Sequence, residues 1–187
     1  MSDVIRPEVA EQLAMLKQAG AKHLVMLTGD NQMTADYVAD MLGIDEVHAE
    51  LLPDEKVQFV KKYQEQGLRV AFIGDGINDS PSLAAADIGI AMGSGTDVAI
   101  ETSDVVLMQS SFGSLVHAYR LAKKTVLNTR ENVVIAIGVV LFLLIGLFAG
   151  FIYMASGMFV HEASILIVIF NAMRLLYFGH ESKEEKS

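Results

Sequence analysis

Hydrophobic and polar positions fall into two regimes along the chain. Up to about residue 130, short apolar runs alternate with amphipathic stretches; beyond it, apolar residues follow one another almost without interruption. In the first regime, helical spacing covers 7–19, with Pro7 in the opening turn and Gly20 as the stop. Residues 23–27 read as a buried strand that ends in Thr28-Gly29-Asp30. A helix follows as far as Leu42 and stops at Gly43, and another spans 53–66 before Gly67. Residues 68–73 form a second apolar strand, again ending in a Gly-Asp turn, and a small-residue helix occupies 79–86. Residues 88–92 and 105–108 supply two further strands. Strands and helices alternating at this spacing predict an α/β fold with a parallel, doubly wound sheet. Ligands of such sheets bind at the carboxyl ends of the strands, where both Gly-Asp turns fall.

The second regime reads as membrane. No charged residue occurs over 133–160, which exceeds the ~20 apolar residues that span a bilayer. His161 and Glu162 interrupt, and 163–173 is again uncharged. One span would strand the second run, so two transmembrane helices are predicted, over 132–150 and 153–176, with a turn near Gly150. Lys123, Lys124 and Arg130 precede the pair, while Arg174, Lys183 and Lys186 lie at or after its end. That bias places the soluble part and both termini on the cytoplasmic side of a multi-pass protein of the cell membrane. The alternative is a buried core hairpin in a soluble protein. The expected organisation is an α/β unit over 1–110, a connecting helix over 111–131, the hairpin over 132–177 and a tail over 178–187. The polar first residues carry no signal-peptide pattern.

Composition narrows the chemistry. The net charge is −9, and residues 1–132 hold 11 Lys and Arg against 19 Asp and Glu. Nucleic acid is thereby excluded as a partner, because phosphate neutralisation needs clustered cations. No cysteine occurs, which rules out disulfides, thiolate metal sites and cysteine nucleophiles within these 187 residues.

Three short motifs carry candidate chemistry. In Gly74-Asp75-Gly76-Ile77-Asn78-Asp79, glycines allow a tight turn after a buried strand and set Asp75 and Asp79 four residues apart. Two converging carboxylates suit Mg²⁺, a hard cation that also binds phosphate, and Asn78 can hold a phosphoryl oxygen. The plain alternative is a turn with solvated acids. The Thr28 hydroxyl of Thr28-Gly29-Asp30 either binds phosphate at a helix start or caps the following helix. Lys56, in Pro53-Asp54-Glu55-Lys56, opposes the dipole in a first helical turn; it either meets an anion or is a surface lysine. Gly93-Ser94-Gly95-Thr96 lacks the Gly-Lys-Ser/Thr ending of a phosphate loop and reads as a connecting turn.

Together, Met26-Leu27-Thr28-Gly29-Asp30-Asn31, Pro53-Asp54-Glu55-Lys56, Gly74-Asp75-Gly76-Ile77-Asn78-Asp79 and the stretch from Ala91 to Ala99 resemble the phosphorylation domain of P-type ATPases, a haloacid-dehalogenase-like fold. The likeness runs in unbroken order from Asp3-Val4-Ile5-Arg6-Pro7 to Leu176. Two membrane helices after that domain fit the heavy-metal (class IB) branch. His161-Glu162-Ala163-Ser164-Ile165, followed by Asn171-Ala172-Met173-Arg174, is similar to the His-Glu-Gly-x-Thr pattern of the cobalt/zinc-type subclass, with departures at Ala163 and Ile165.

The resemblance implies an ATP-driven transition-metal exporter working through an aspartyl phosphate. In it Thr28, Gly29, Asp30, Lys56 and Asn78 serve phosphoryl transfer, Asp75 and Asp79 bind Mg²⁺, and His161 and Glu162 contact the transported Zn, Co or Cd ion. It also implies parts this sequence lacks: the Asp-Lys-Thr-Gly-Thr nucleophile motif, the actuator and nucleotide-binding domains and the earlier membrane helices. The expected partners are the lipid bilayer and that missing N-terminal portion, and the isolated chain is expected to be inactive. The alternative is a non-catalytic, membrane-anchored module or assembly partner of a pump. A small phosphatase of the same superfamily would need its own nucleophile, and no Asp-x-Asp-x-Thr/Val pattern is present.

Overall fold

The structure is a computed structural model that describes residues 7–75, 77–93, 97–108 and 111–184. Its two compact units are Met1–Val116 and His117–Ser187. Gly76, the Ser94-Gly95-Thr96 part of the connecting turn, and the opening residues of the likeness, Asp3 to Arg6, lie outside the described residues.

The first unit follows the punctuation of the sequence. Helix α1 spans Pro7–Ala19, strand β1 Val25–Leu27, α2 Gln32–Leu42, β2 Glu46–His48, α3 Pro53–Glu65 and β3 Ala71–Gly74. A 3₁₀ turn at Ile77–Asp79 leads into α4, Ser80–Ala85; then come β4 (Ile88–Met92), α5 (Asp97–Glu101), β5 (Val105–Leu107) and the start of α6, Phe112–Phe148. Asn31 starts α2 by accepting from the Thr34 N–H at 2.9 Å. Gly43 ends it in a left-handed conformation, φ 66°, that costs glycine little.

All strand pairs are parallel, as predicted, but the sheet is in two pieces: β1 pairs with β2, and β3, β4 and β5 pair in that order. Registers begin at Val25↔Glu46, Ala71↔Ile88 and Ile90↔Val105. Leu13 and Leu16 of α1, Val60 of α3, Leu83 of α4 and Ile90 and Ala91 of β4 are among the buried core. A Cβ on Gly89 would lie 2.6 Å from the Leu83 carbonyl oxygen, so α4 rests directly on the β4 backbone.

An aspartate precedes three of the strands and closes the ladder at its amino end. Asp45 accepts from Leu24 N–H at 2.8 Å, Asp87 from Val70 N–H at 3.0 Å and Asp104 from Gly89 N–H at 2.8 Å. Hydrogen bonds from Val70, Arg69 and Gln64 hold the Asp87 carboxyl down at about 2.

The second unit contains the remainder of α6 and helix α7, Met154–Glu184. The connecting helix and first span expected from sequence form one unbroken α6, and α7 continues through most of the expected tail. Both helices are long and apolar enough to cross a membrane. At their turn Gly150 is left-handed, and a Cβ on Gly146 would collide with Ile152. Ser156 accepts from Tyr153 N–H at 3.0 Å and opens α7.

Candidate active site

Strand β1 delivers Thr28 to the carboxyl edge of its sheet. The Thr28 N–H donates to the His48 carbonyl at 3.0 Å, and its own carbonyl accepts from Leu51 N–H at 3.0 Å. The side-chain hydroxyl donates to Asp30 Oδ2 at 3.0 Å and accepts from Asp30 N–H at 3.1 Å. It does not cap α2, because Asn31 already does. The hydroxyl and the exposed Asp30 carboxylate therefore form a small polar turn at a strand end.

Helix α3 and strand β3 build the other half. Leu52 N–H donates to the Glu55 carboxylate at 2.8 Å, which fixes the first turn with Pro53 at its head. One residue on, Lys56 Nζ donates to Asp79 Oδ1 at 2.8 Å, with side chains only 14% and 18% exposed. A cation in a first helical turn thus has an anionic partner inside the chain. Gly74 makes this possible: a Cβ there would stand 2.7 Å from the Asp79 Cβ and 2.9 Å from its Oδ2. Asp75 is exposed just past the end of β3, and Asn78 is exposed in the 3₁₀ turn. The structure brings Lys56 onto Asp79 and Thr28 onto Asp30.

Behind Lys56, α3 is anchored to β2. The His48 ring stacks on Phe59 with centroids 3.9 Å apart, and Tyr63 Oη lies 3.4 Å from His48 Nε2. The Glu46 carboxylate takes hydrogen bonds from His23 at 3.0 Å and His48 at 2.8 Å, which lower it to about 2 against the opposing effect of burial. Burial, and then the neighbouring Glu46, push the Tyr63 phenol up to about 12.

Among the described residues, no three His, Asp or Glu side chains gather to hold a metal ion. Mg²⁺ asks for less, since one or two carboxylates with water and phosphate oxygens suffice. Asp75 and Asp79 are hard oxygen donors that flank the end of β3, and Asp79 is already paired with Lys56. His161 and Glu162 are both exposed on α7, and Ser164 Oγ donates to the His161 carbonyl at 2.6 Å. His161 stands seven residues into α7, ~10 Å along its axis. Two donors do not by themselves complete a transition-metal site.

Sequence reasoning overlooked Asn31 and Glu55, whose side chains start the two helices flanking the site. The available signals were an Asn directly before a helical run and a glutamate three residues into one.

Comparison with known proteins sharpens this picture. A family model described as haloacid dehalogenase-like hydrolase matches residues 1–87. The chain is 43% identical over 176 residues to the zinc-transporting ATPase of Bacillus subtilis, covering 94% of this chain and 28% of that protein. It is 42% identical to copper-transporting ATPase 2 of Rhizobium meliloti (94% and 22% covered) and 43% identical to the manganese-exporting P-type ATPase of Mycobacterium tuberculosis (95% and 25%). A crystal structure of a zinc-transporting PIB-type ATPase in the E2.Pi state superposes with TM-score 0.85 at 40% identity, over 93% of this chain and 28% of that one. The chain therefore spans about a quarter of the length of the relatives it matches.

Proposed function

We propose, for a chain that belongs to the heavy-metal P-type ATPases with their haloacid-dehalogenase-like domain, that it forms the phosphate-handling edge and a membrane hairpin of an ATP-driven exporter of Zn, Co or Cd. The observation that carries this reading is the break in the sheet. The strands bearing the Thr28 and Asp75 turns, β1 and β3, share no ladder, although both end at candidate phosphate-handling residues. A further parallel strand between them would set a nucleophilic carboxylate beside Thr28, Lys56 and Asp79.

In that arrangement the γ-phosphoryl of ATP passes to the incoming carboxylate and ADP leaves; water later attacks the acyl phosphate and releases inorganic phosphate. The Thr28 hydroxyl, freed from Asp30, and the Asn78 amide bond the phosphoryl oxygens, while Lys56 neutralises charge that grows on them. Gly29 and Asp30 shape the turn that presents Thr28. Asp75 and Asp79 would hold Mg²⁺, which would supply further charge neutralisation. The soluble unit and both termini lie in the cytoplasm, where ATP is available.

Metal choice rests on α7. Imidazole and carboxylate suit Zn²⁺ or Co²⁺ better than Cu⁺, which prefers sulfur ligands. The relatives include copper and manganese exporters as well as zinc ones, so the Zn, Co or Cd reading rests on the chemistry of His161 and Glu162 alone. The test is a fusion of this chain behind the remaining portion of the Bacillus subtilis zinc-transporting relative. Zinc-stimulated phosphoenzyme is expected, and Asp75→Asn should abolish its formation while leaving zinc binding in place. Phosphoenzyme formation unaffected by Asp75→Asn, or zinc affinity untouched by both His161→Ala and Glu162→Ala, would overturn the corresponding assignment.

A further inference from the structure

We propose that Asn171 is a positioning residue, the hub of a polar clasp that fixes the register of α7 on α6 at the open end of the hairpin. The functional part of the proposal rests on the exporter reading above.

In hydrocarbon, apolar side chains gain little by leaving lipid for one another, so close packing at small residues and interhelical hydrogen bonds decide how helices pair. Large apolar side chains along both helices are exposed, among them Val134, Ile145, Phe159 and Phe170. At the closed end, Gly146 lets Ile152 pack against it. At the other end four side chains converge on one residue.

Asn171 on α7 donates through Nδ2 to Asn132 Oδ1 at 2.9 Å and to Glu131 Oε2 at 3.1 Å, both on α6. Its backbone carbonyl accepts from Asn128 Nδ2 at 2.8 Å, and its Oδ1 accepts from Arg174 at 2.9 Å. Arg174 also reaches Glu131 at 3.4 Å, and Asn132 donates to Asn128 at 3.2 Å. Asn128, a polar side chain, is only 7% exposed. One asparagine thus uses both side-chain hydrogens, its side-chain oxygen and its main-chain oxygen at once.

The consequence is an all-or-none register. Sliding α7 by one residue advances it ~1.5 Å and turns it ~100°, which withdraws Asn171 from Glu131, Asn132 and Asn128 together. No neighbouring position restores the pattern, since Ala172 and Met173 follow and Phe170 precedes. His161 lies ten residues before Asn171, ~15 Å along the same helix, so the clasp sets which way His161 faces relative to α6.

The natural absence of cysteine makes the test direct. Spin labels on Leu127→Cys and Met173→Cys, both exposed positions, report the distance between the helices in the full chain in lipid nanodiscs. The expected result is one narrow distance, which Asn171→Leu or Glu131→Arg broadens or shifts on the scale of one helical turn, ~5 Å. Exchanging the charges, Glu131→Arg with Arg174→Glu, should restore it. A narrow, unmoved distance in Asn171→Leu overturns the clasp.

In the fusion pump, Asn171→Leu and Glu131→Arg should lower maximal zinc-stimulated turnover about tenfold with zinc half-saturation nearly unchanged, and the charge exchange should recover turnover. Failure of the exchange to recover turnover, or equal loss of turnover and zinc affinity, overturns the positioning role. A parent fusion without zinc-stimulated turnover overturns the exporter reading instead, and the distances still decide the clasp.

Discussion

Aspartates at the two ends of the parallel strands do opposite work. At the amino ends, Asp45, Asp87 and Asp104 each accept a backbone N–H in or just before the neighbouring strand, and Asp45 and Asp87 add Lys17 and Arg69 at 2.6 Å. At the carboxyl ends, Asp30 and Asp75 are exposed, and Asp79 faces a lysine rather than an amide. The residue type is the same; the partner decides the role. An amide partner ties a carboxylate to register; the carboxyl-end aspartates lack that tie among the described strand contacts, which fits the ligand role proposed for them.

The largest effect that would break this comparison belongs to the carboxyl end. Gly74→Ala forces Asp79 away from Lys56, and in the fusion pump phosphoenzyme formation should fall on the order of a hundredfold, as for other lost electrostatic contacts in a reacting site. Thermal stability of the soluble unit should change far less. A melting temperature that drops in step with activity would show that Asp79 is a structural anchor like Asp87.

The next effect belongs to the amino end. Asp87→Ala should speed hydrogen exchange at the Val70 amide, and Asp104→Ala should do the same at Gly89, with little change at Thr28 or Asp79. Uniform acceleration throughout the unit would mean that the anchors act globally.

A pH series sharpens the contrast. Folding lowers Asp87 from 3.8 and Glu46 from 4.5 to about 2, so both prefer the charged form in the folded chain. Their stabilising contribution is complete above those ordinary values and is lost as pH falls through about 2. Urea midpoints should therefore decline between pH 5 and 2, and less so in Asp87→Asn. An equal decline in that variant would remove Asp87 from the account.

The smallest effect lies at the alkaline side. Tyr63, raised from 10.0 to about 12, favours its protonated form when folded, so its contribution is complete below 10 and lost as pH rises through 12. Tyr63→Phe should flatten that decline slightly in the same urea series; an unaltered alkaline slope would assign it to other groups.

Much of this was legible in the sequence because glycine and proline mark the boundaries. Pro7, Gly43, Pro53 and Gly67 bracket helices that the structure places within a residue or two. Strand β2 was not legible, since Glu46-Val47-His48 is three residues long and its two polar side chains turn towards His23 and Tyr63. Helix α5 has five residues, too few for a period to register. The Thr28, Lys56 and Asp79 positions were visible as motifs, yet the pairing of Lys56 with Asp79 joins residues 23 apart. The clasp joins residues 39 to 43 apart, a separation at which no local pattern reports contact.

The divided sheet also bears on how the domain is completed. Among the described residues, strands β1 and β3 each have a single bonded neighbour, so their other sides present unpaired amide and carbonyl groups. Such edges recruit any extended peptide that meets them, including another molecule of the same kind. Three- and four-residue strands keep the adhesive length small, so one short parallel strand would be enough to satisfy both edges.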